Sequence, residues 1–394
     1  MWFVNILIVV QSTIWQILNN ETHVYLCFGI RSFVRGEDIH ESFFTRVTPA
    51  GEIMEREKEE TMEKFINNAP FALVLAALVI GFVLLIKGAD YFVEGSSSVA
   101  KRFHVPAIII GLTIVAMGTS LPETAVSVSA SLAGNNELAV SNVVGSNIFN
   151  LMVVIGVCGV LATVNVAKET IRRDIPFSLI CAGMLLIFGI AGIGDKSSMT
   201  LGHLDGVIFL VCFAGYIFYM IRTAQKASRE GKKVEIEGGS DEEIKLISMP
   251  LSIVFIVGGA AAIAIGGDIT VDAAARIAGD LGMSQTLIGL TIVSIGTSLP
   301  ELVTSIVAAK KNEVDMALGN AVGSNVFNIL MVLGIASAIS PITIIRENII
   351  DLCVLMVFTV CVWIFAATKK RIGKVEGFCM IALYAAYAVY IIIR

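Results

Sequence analysis

Charge is what this chain has least of. Of 394 residues only 15% are Asp, Glu, Lys or Arg, while 56% are hydrophobic; soluble domains carry about 25% charged and about 45–50% apolar residues. The net charge of -5 is spread over polar connections, and no basic stripe exists to form a nucleic-acid footprint. The seven cysteines are odd in number, and Cys158, Cys181, Cys212, Cys353, Cys361 and Cys379 sit inside apolar runs. They show neither metal spacing nor a disulfide framework, so they read as small core residues. No Gly-rich phosphate loop of the Walker type is present, which argues against ATP-driven pumping. Gly192-Ile193-Gly194-Asp195 matches the GxGD pattern of intramembrane aspartyl proteases. It falls beside Lys196 in an expected loop, and no Tyr-Asp partner lies in an apolar span. No enzyme and no cofactor are expected.

What is abundant is apolar sequence in runs of about 20 residues, the length that crosses a hydrocarbon core. Ten such runs can be drawn, at 69–97, 105–133, 138–164, 174–194, 203–223, 248–278, 284–309, 314–340, 347–368 and 374–393. Several exceed the minimum span, which tilt or breakage accommodates. The fold class predicted is an all-α polytopic membrane protein. Residues 224–247, charged and glycine-containing, read as a linker between two halves, 69–223 and 248–394. Its acidic stretch 235–243 reads as solvated chain.

Lys and Arg gather in alternate loops: Lys101 and Arg102; Lys168, Arg172 and Arg173; the linker; Lys310 and Lys311; and Lys369 to Lys374. The opposite loops hold Lys196, Arg346 and Arg276. The positive-inside rule makes the first set cytoplasmic and turns both ends of the ten-helix unit outward, as in a plasma (inner) membrane protein. Residues 1–61 fit poorly: the run Met1–Leu18 lacks the basic flank of a signal peptide. This extension is either an additional spanning or interfacial segment, or the product of a start placed upstream of Met62.

The chain repeats itself. Residues 111–150 read GLTIVAMGTSLPETAVSVSASLAGNNELAVSNVVGSNIFN and residues 289–328 read GLTIVSIGTSLPELVTSIVAAKKNEVDMALGNAVGSNVFN. The offset is constant, as from Glu123 to Glu301, and about half of the paired positions are identical. The match reaches back to Asp90/Asp268 and Glu94/Asp272, which form either an ion-access path or snorkelling surface charges. Five spans per half is an odd number, so the second copy enters the membrane in the opposite sense. Such inverted repeats place their substrate site near the midplane, where broken helices meet.

Glu123 and Glu301 each lie in an otherwise apolar span, where a carboxylate is expensive and marks a functional site. No basic residue lies deep in these spans, so a bound cation is the natural countercharge. A neutral, hydrogen-bonded carboxyl pair is the other reading; it leaves the accompanying prolines and hydroxyls unexplained. Pro122 and Pro300 lack an N–H and push away the carbonyl four residues back, freeing backbone oxygens. Thr119 and Ser120, and in the second copy Thr297 and Ser298, share the face of the following glutamate if the helix is continuous. Ser146 with Asn150, and Ser324 with Asn328, stand four apart on the next span. Taken singly, such Ser and Asn residues also commonly serve to hold membrane helices together. The donors are hard oxygens, which suit Ca2+ and Na+; transition metals favour nitrogen or sulfur. A site charge near −2 is balanced by one Ca2+ or by several Na+, but poorly by both at once.

The paired GTSLPE and GSN[IV]FN motifs resemble the alpha repeats of the Ca2+/cation antiporter superfamily, and its bacterial sodium/calcium exchanger type in particular. The resemblance covers about residues 69–394 and implies ten helices, alternating access and electrogenic Na+/Ca2+ exchange. It also implies that Glu123 and Glu301 share Ca2+ with the Thr119 and Thr297 carbonyls. Ser120, Ser146, Ser298 and Ser324 would line flanking Na+ sites, with weaker backbone ligands at Ala116 and Ser294. Asn150 and Asn328 would lie centrally. The potassium-dependent branch has an aspartate where this chain has Asn328, so no potassium dependence is expected. A proton-coupled calcium antiporter is the alternative within transport, and a channel the alternative outside it. The partners implied are Ca2+, Na+ and the lipid bilayer.

Overall fold

The computed structural model describes residues 69–132, 136–191, 199–230, 246–282 and 294–393. The extension 1–61, most of the linker, Gly192–Asp195 with Lys196, and the first part of the segment expected at 284–309 lie outside the described residues. The chain divides into two units, Met1–Ala77 and Leu78–Arg394; the second carries every side chain of the candidate site.

Apolar runs in lipid must satisfy their backbone internally, so they fold as helices. In chain order these are α1 Phe71–Arg102, α2 Ala107–Thr119, α3 Leu121–Leu132, α4 Ala139–Leu161, α5 Thr170–Ala191 and α6 His203–Glu230. They are followed by α7 Met249–Asp280, α8 Leu299–Lys310, α9 Val314–Ile339, α10 Arg346–Lys369 and α11 Lys374–Ile393. Among the described residues eight helices are long and apolar enough to cross a membrane, or nine if the bent pair α2/α3 is one span. That pair is the expected segment 105–133, broken by 45°. The helix expected to stop at residue 223 continues to Glu230, beyond the point where the first half was drawn to end.

Burial ranks the helices. In both α4 and α9, 78% of the spanning window is buried, against 22% in α1 and 17% in α11. The two motif-bearing helices therefore form the centre, and the outer helices turn Val, Ile, Leu and Phe outward, as a lipid-facing surface requires. Beyond the helices the described residues include four two-residue strands. Val164–Asn165 pairs antiparallel with Arg371–Ile372, and Thr200–Leu201 with Ile342–Thr343. Each pair ties a helix end of the first half to one of the second.

The long helices α1 and α7 meet at backbone distance through glycines seven residues apart. A Cβ on Gly88 would stand 2.9 Å from the Ile263 nitrogen, and one on Gly259 would stand 2.8 Å from the Gly88 carbonyl oxygen. Gly258, next in the chain, faces open space. Overpacking a tight contact typically costs about 1–3 kcal/mol, whereas Gly→Ala in an unobstructed helix is worth about 0.5–1 kcal/mol in the stabilising direction. Gly259→Ala is expected to lower the melting temperature in detergent while Gly258→Ala leaves it level or raises it; equal effects from the two neighbours would refute the seam.

Candidate functional site

The break between α2 and α3 falls at Ser120, whose φ of -83° and ψ of 11° leave the helix. In the second half Ser298 stands at φ -95° and ψ 4° before α8, with Pro300 in the first turn. A proline cannot donate within a helix but fits its first turn, so each chain restarts there. Glu123 and Glu301 consequently lie in the first turn of α3 and α8, where the helix dipole favours negative charge. Both glutamates are wholly buried, as are Thr119, Ser120, Ser298, Ser324, Asn150 and Asn328, with Ser146 at 1% exposure. Pro300 is buried; Pro122 and Thr297 are half-buried.

The break changes which residues meet. On a continuous helix Ser120 would share the face of Glu123. Instead the Ser120 hydroxyl donates to Glu301 Oε1 at 3.1 Å, and the Ser298 hydroxyl donates to Glu123 Oε1 at 3.3 Å. Each half's serine serves the other half's glutamate. The run Ser-Leu-Pro-Glu is a capping-box sequence, yet Ser298 caps nothing in its own helix; its hydroxyl is committed across the interface. Ser324 also donates to Glu301 Oε1, at 3.4 Å. Ser146 lies beside Glu123, and its Oγ has no partner at hydrogen-bonding distance.

A lattice of asparagines holds the centre. Asn147 Nδ2 donates to the Asn325 carbonyl at 3.2 Å, and Asn325 Nδ2 returns to the Asn147 carbonyl at 3.1 Å. Asn150 Nδ2 donates to Asn325 Oδ1 at 3.2 Å, and Asn328 Nδ2 to Asn147 Oδ1 at 3.1 Å. A second reciprocal set lies further out. Asn142 donates to Ser127 and accepts from Thr297, at 3.1 and 3.3 Å; Asn320 donates to Ser305 and accepts from the Thr119 hydroxyl, each at 3.0 Å. Asn150 and Asn328 each open a five-residue π-turn, a widening common at functional sites. Asn142, Asn147, Asn320 and Asn325 were not among the residues expected from the sequence. Their signal was there: both members of each pair stand at the repeat offset, 178 residues apart.

What remains is a set of unpaired acceptors. Glu123 Oε2, Glu301 Oε2, Asn150 Oδ1, Asn328 Oδ1 and Ser146 Oγ are buried with no hydrogen-bond partner. Buried polar atoms are nearly always paired, and an orphan oxygen on each of two neighbouring carboxylates calls for a ligand. Among the described residues no Lys, Arg or His pairs with either glutamate, and the two carboxylates are close enough to repel one another. The orphans are all oxygens, so the set fits a hard cation. The Ala116 carbonyl accepts the Ser120 N–H at 3.0 Å and the Thr119 hydroxyl at 3.4 Å. Ser294 opens the described stretch of the second half, and its side chain lies outside the described residues. Asp90 lies apart from the centre: Lys311 Nζ bonds its carbonyl at 2.7 Å and stands 3.5 Å from its carboxylate, tying α1 to the turn after α8.

A family model described as sodium/calcium exchanger protein matches residues 73–222 and 251–393. The chain belongs to the sodium/calcium exchanger family. Its curated relatives include a putative antiporter, CaxA, of Alkalimonas amylolytica, 36% identical over 79% of this chain and 96% of that protein. The sodium/calcium exchanger MaX1 of Methanosarcina acetivorans is 30% identical over 79% of this chain and 96% of its own length. A solved structure of the sodium-calcium exchanger NCX_Mj superposes with a TM-score of 0.68 at 31% identity, covering 82% of this chain and all of that one. This exchanger-family chain is thus a multi-pass membrane antiporter for cations, in a family of transporters and not of enzymes.

Outer partners that orient ligands typically account for about 10–100-fold in metal affinity. Asn325→Ala removes the acceptor of Asn150 and one arm of the Asn147 exchange. It is expected to raise the half-saturating Ca2+ for uptake by about 10–100-fold while the purified protein still melts cooperatively. An unchanged half-saturation would sink the role given to the lattice.

Proposed function

We propose that this chain exchanges Na+ for Ca2+ by alternating access at one site built from both halves. The observation that carries the reading is the group of five buried oxygens without partners, two of them on carboxylates. Ca2+ is held by Glu123 and Glu301, with backbone oxygens at Thr119 and Thr297. Na+ takes the flanking positions near Ser120, Ser146, Ser298 and Ser324, with Asn150 and Asn328 between them and weaker backbone help from Ala116 and Ser294. Two negative charges are neutralised by one divalent ion or by several monovalent ions, and mutual exclusion on one site yields exchange. Asn328 is neutral like its counterpart Asn150, so K+ is not required.

The architecture that serves this is ten spans in two inverted five-helix repeats. The matching of the family model in two stretches and the reciprocal hydrogen bonds across the repeat offset support it. The gathered Lys and Arg put the linker in the cytoplasm and both ends of the ten-helix unit outside.

Removing either charge leaves a −1 site that no longer balances Ca2+. Glu123→Gln and Glu301→Gln are each expected to abolish Ca2+ uptake in everted vesicles, and wild-type flux from either overturns the charge argument. Separately, an outward Na+ gradient without K+ is expected to drive Ca2+ into proteoliposomes. Uptake that ignored Na+ and followed a pH gradient would assign the site to proton-coupled exchange instead.

A further inference from the structure

The centre of the molecule obeys the repeat, and one contact away from the ion site does not. Helix α8 ends in a Schellman turn. Asn312 takes a left-handed φ of 60°, a conformation asparagine tolerates. Its N–H donates to the Ala309 carbonyl at 3.2 Å, and the Glu313 N–H donates to the Ala308 carbonyl at 2.8 Å. The turn so fixed presents Lys311 and Glu313 to α1. Lys311 Nζ donates to the Asp90 carbonyl at 2.7 Å and stands 3.5 Å from the Asp90 carboxylate. Glu313, 6% exposed, lies beside Ser97 and within reach of the Lys101 charge. Base meets acid at one end of the contact, and acid meets base at the other.

Of these groups only the aspartate is duplicated. At the repeat offset Asp90 corresponds to Asp268, whereas Lys311, Glu313, Ser97 and Lys101 correspond to Ala133, Asn135, Ala275 and Gly279. Lys87, the other base beside Asp90 at 3.6 Å, corresponds to Ile265. The same chemistry is therefore not available at the opposite end of the bundle.

The contact reaches the ion site through α1. Phe92, just beyond Asp90 and 1% exposed, seats on Gly118, where a Cβ would stand 2.6 Å from the Phe92 Cζ. Gly118 shortly precedes Ser120, the break residue whose hydroxyl holds Glu301. Lys311 in turn closes α8, the helix that opens with Glu301. One face of α1 is thus seated on the break of the first half, and another is gripped by the glutamate helix of the second. The end of α1 is also bound to α7: Arg102 donates to the Ile247 carbonyl at 2.9 Å, and Ser252 to the Ser98 hydroxyl at 3.2 Å. What holds α1 holds the pair.

We propose that the turn 311–313 is a one-sided latch on α1. It must release before ions reach the site from the Lys311 end of the bundle, and it tilts the carrier toward the conformation open at the other end. Two like halves give a carrier no preference between its faces, and a contact made by one half alone supplies one. Such a contact shifts the two populations by the difference in its strength between them. The latch rests on the alternating-access reading above, whereas the grip on α1 does not.

The test uses the full chain in vesicles, with Lys311→Arg, Lys311→Gln and Lys311→Glu compared. The Ca2+ dependence of flux is read from each face in vesicles of both orientations, and deuterium uptake along α1 is read in the same preparations. Lys311→Arg is expected to match the wild type. Lys311→Gln is expected to lower the half-saturating Ca2+ at the Lys311 face by about two- to fivefold, the range of a partly exposed ion pair, and to raise it at the opposite face. Lys311→Glu is expected to go further in the same sense, and deuterium uptake over residues 90–102 to rise in the same order. Lys87→Gln, whose ion pair lies within α1 itself, is expected to leave both faces as they were. Half-saturation unchanged at both faces, or moved the same way at both, overturns the latch. Deuterium uptake that ignores the charge at 311 overturns the grip as well. A wild type that moves no Ca2+ removes the exchange reading instead, and the deuterium series still decides whether the turn holds α1.

Discussion

The structure depends on two buried carboxylates that no cationic side chain among the described residues meets. Neither Glu123 nor Glu301 has an ion pair among the described residues, and each keeps one oxygen without a hydrogen bond. Such a group is expensive in hydrocarbon, and the surrounding fold limits that expense without cancelling it. Helix N-termini point at both carboxylates, serines reach them from the opposite half, and the asparagine amides are held so that their oxygens stay available. Every one of these devices tolerates negative charge, and none neutralises it. Each carboxylate keeps an oxygen that nothing among the described residues answers.

The crossing of partners decides where stability and selectivity reside. Ser324 bonds the glutamate of its own copy, but Ser120 and Ser298 do not. Here the hydroxyl of one copy is spent on the carboxylate of the other, and the amides of Asn147 and Asn325 answer each other's carbonyls. The strand pairs Val164–Ile372 and Thr200–Thr343 repeat the theme at the helix ends. The halves therefore form one site and not two adjacent ones.

Much of this was legible in the sequence. The apolar runs anticipated the helices described, eight or nine of them long enough to cross a membrane, and the GTSLPE copies located the breaks because a proline removes an N–H and pushes away the carbonyl four residues back. The gathering of Glu123, Glu301, Ser120, Ser298, Asn150 and Asn328 followed from the repeat. The direction of the hydroxyls did not. Spacing assigns faces on an unbroken helix, and once the chain breaks at Ser120 and Ser298 the faces are set by the opposing half. The bracing asparagines Asn142 and Asn320 were passed over for a related reason: one sequence shows that two residues correspond, but not that each is the other half's partner. The helix α6 runs on past residue 223 because Arg222 and Lys226 are exposed, and a helix continues through charges on its solvent face.

The mutual bonding of Asn147 and Asn325 carries a consequence for how the two copies can change. Each amide completes the backbone of its own twin, so a substitution in one copy strands a polar group in the other. Drift is then restrained where the copies touch and permitted where they face away. The internal identity follows that division: GSN and FN recur in both halves, while Ala133-Gly134-Asn135 in one copy corresponds to Lys311-Asn312-Glu313 in the other. Ancestral duplication supplied the symmetry, and shared hydrogen bonds preserve it at the centre long after the periphery has lost it.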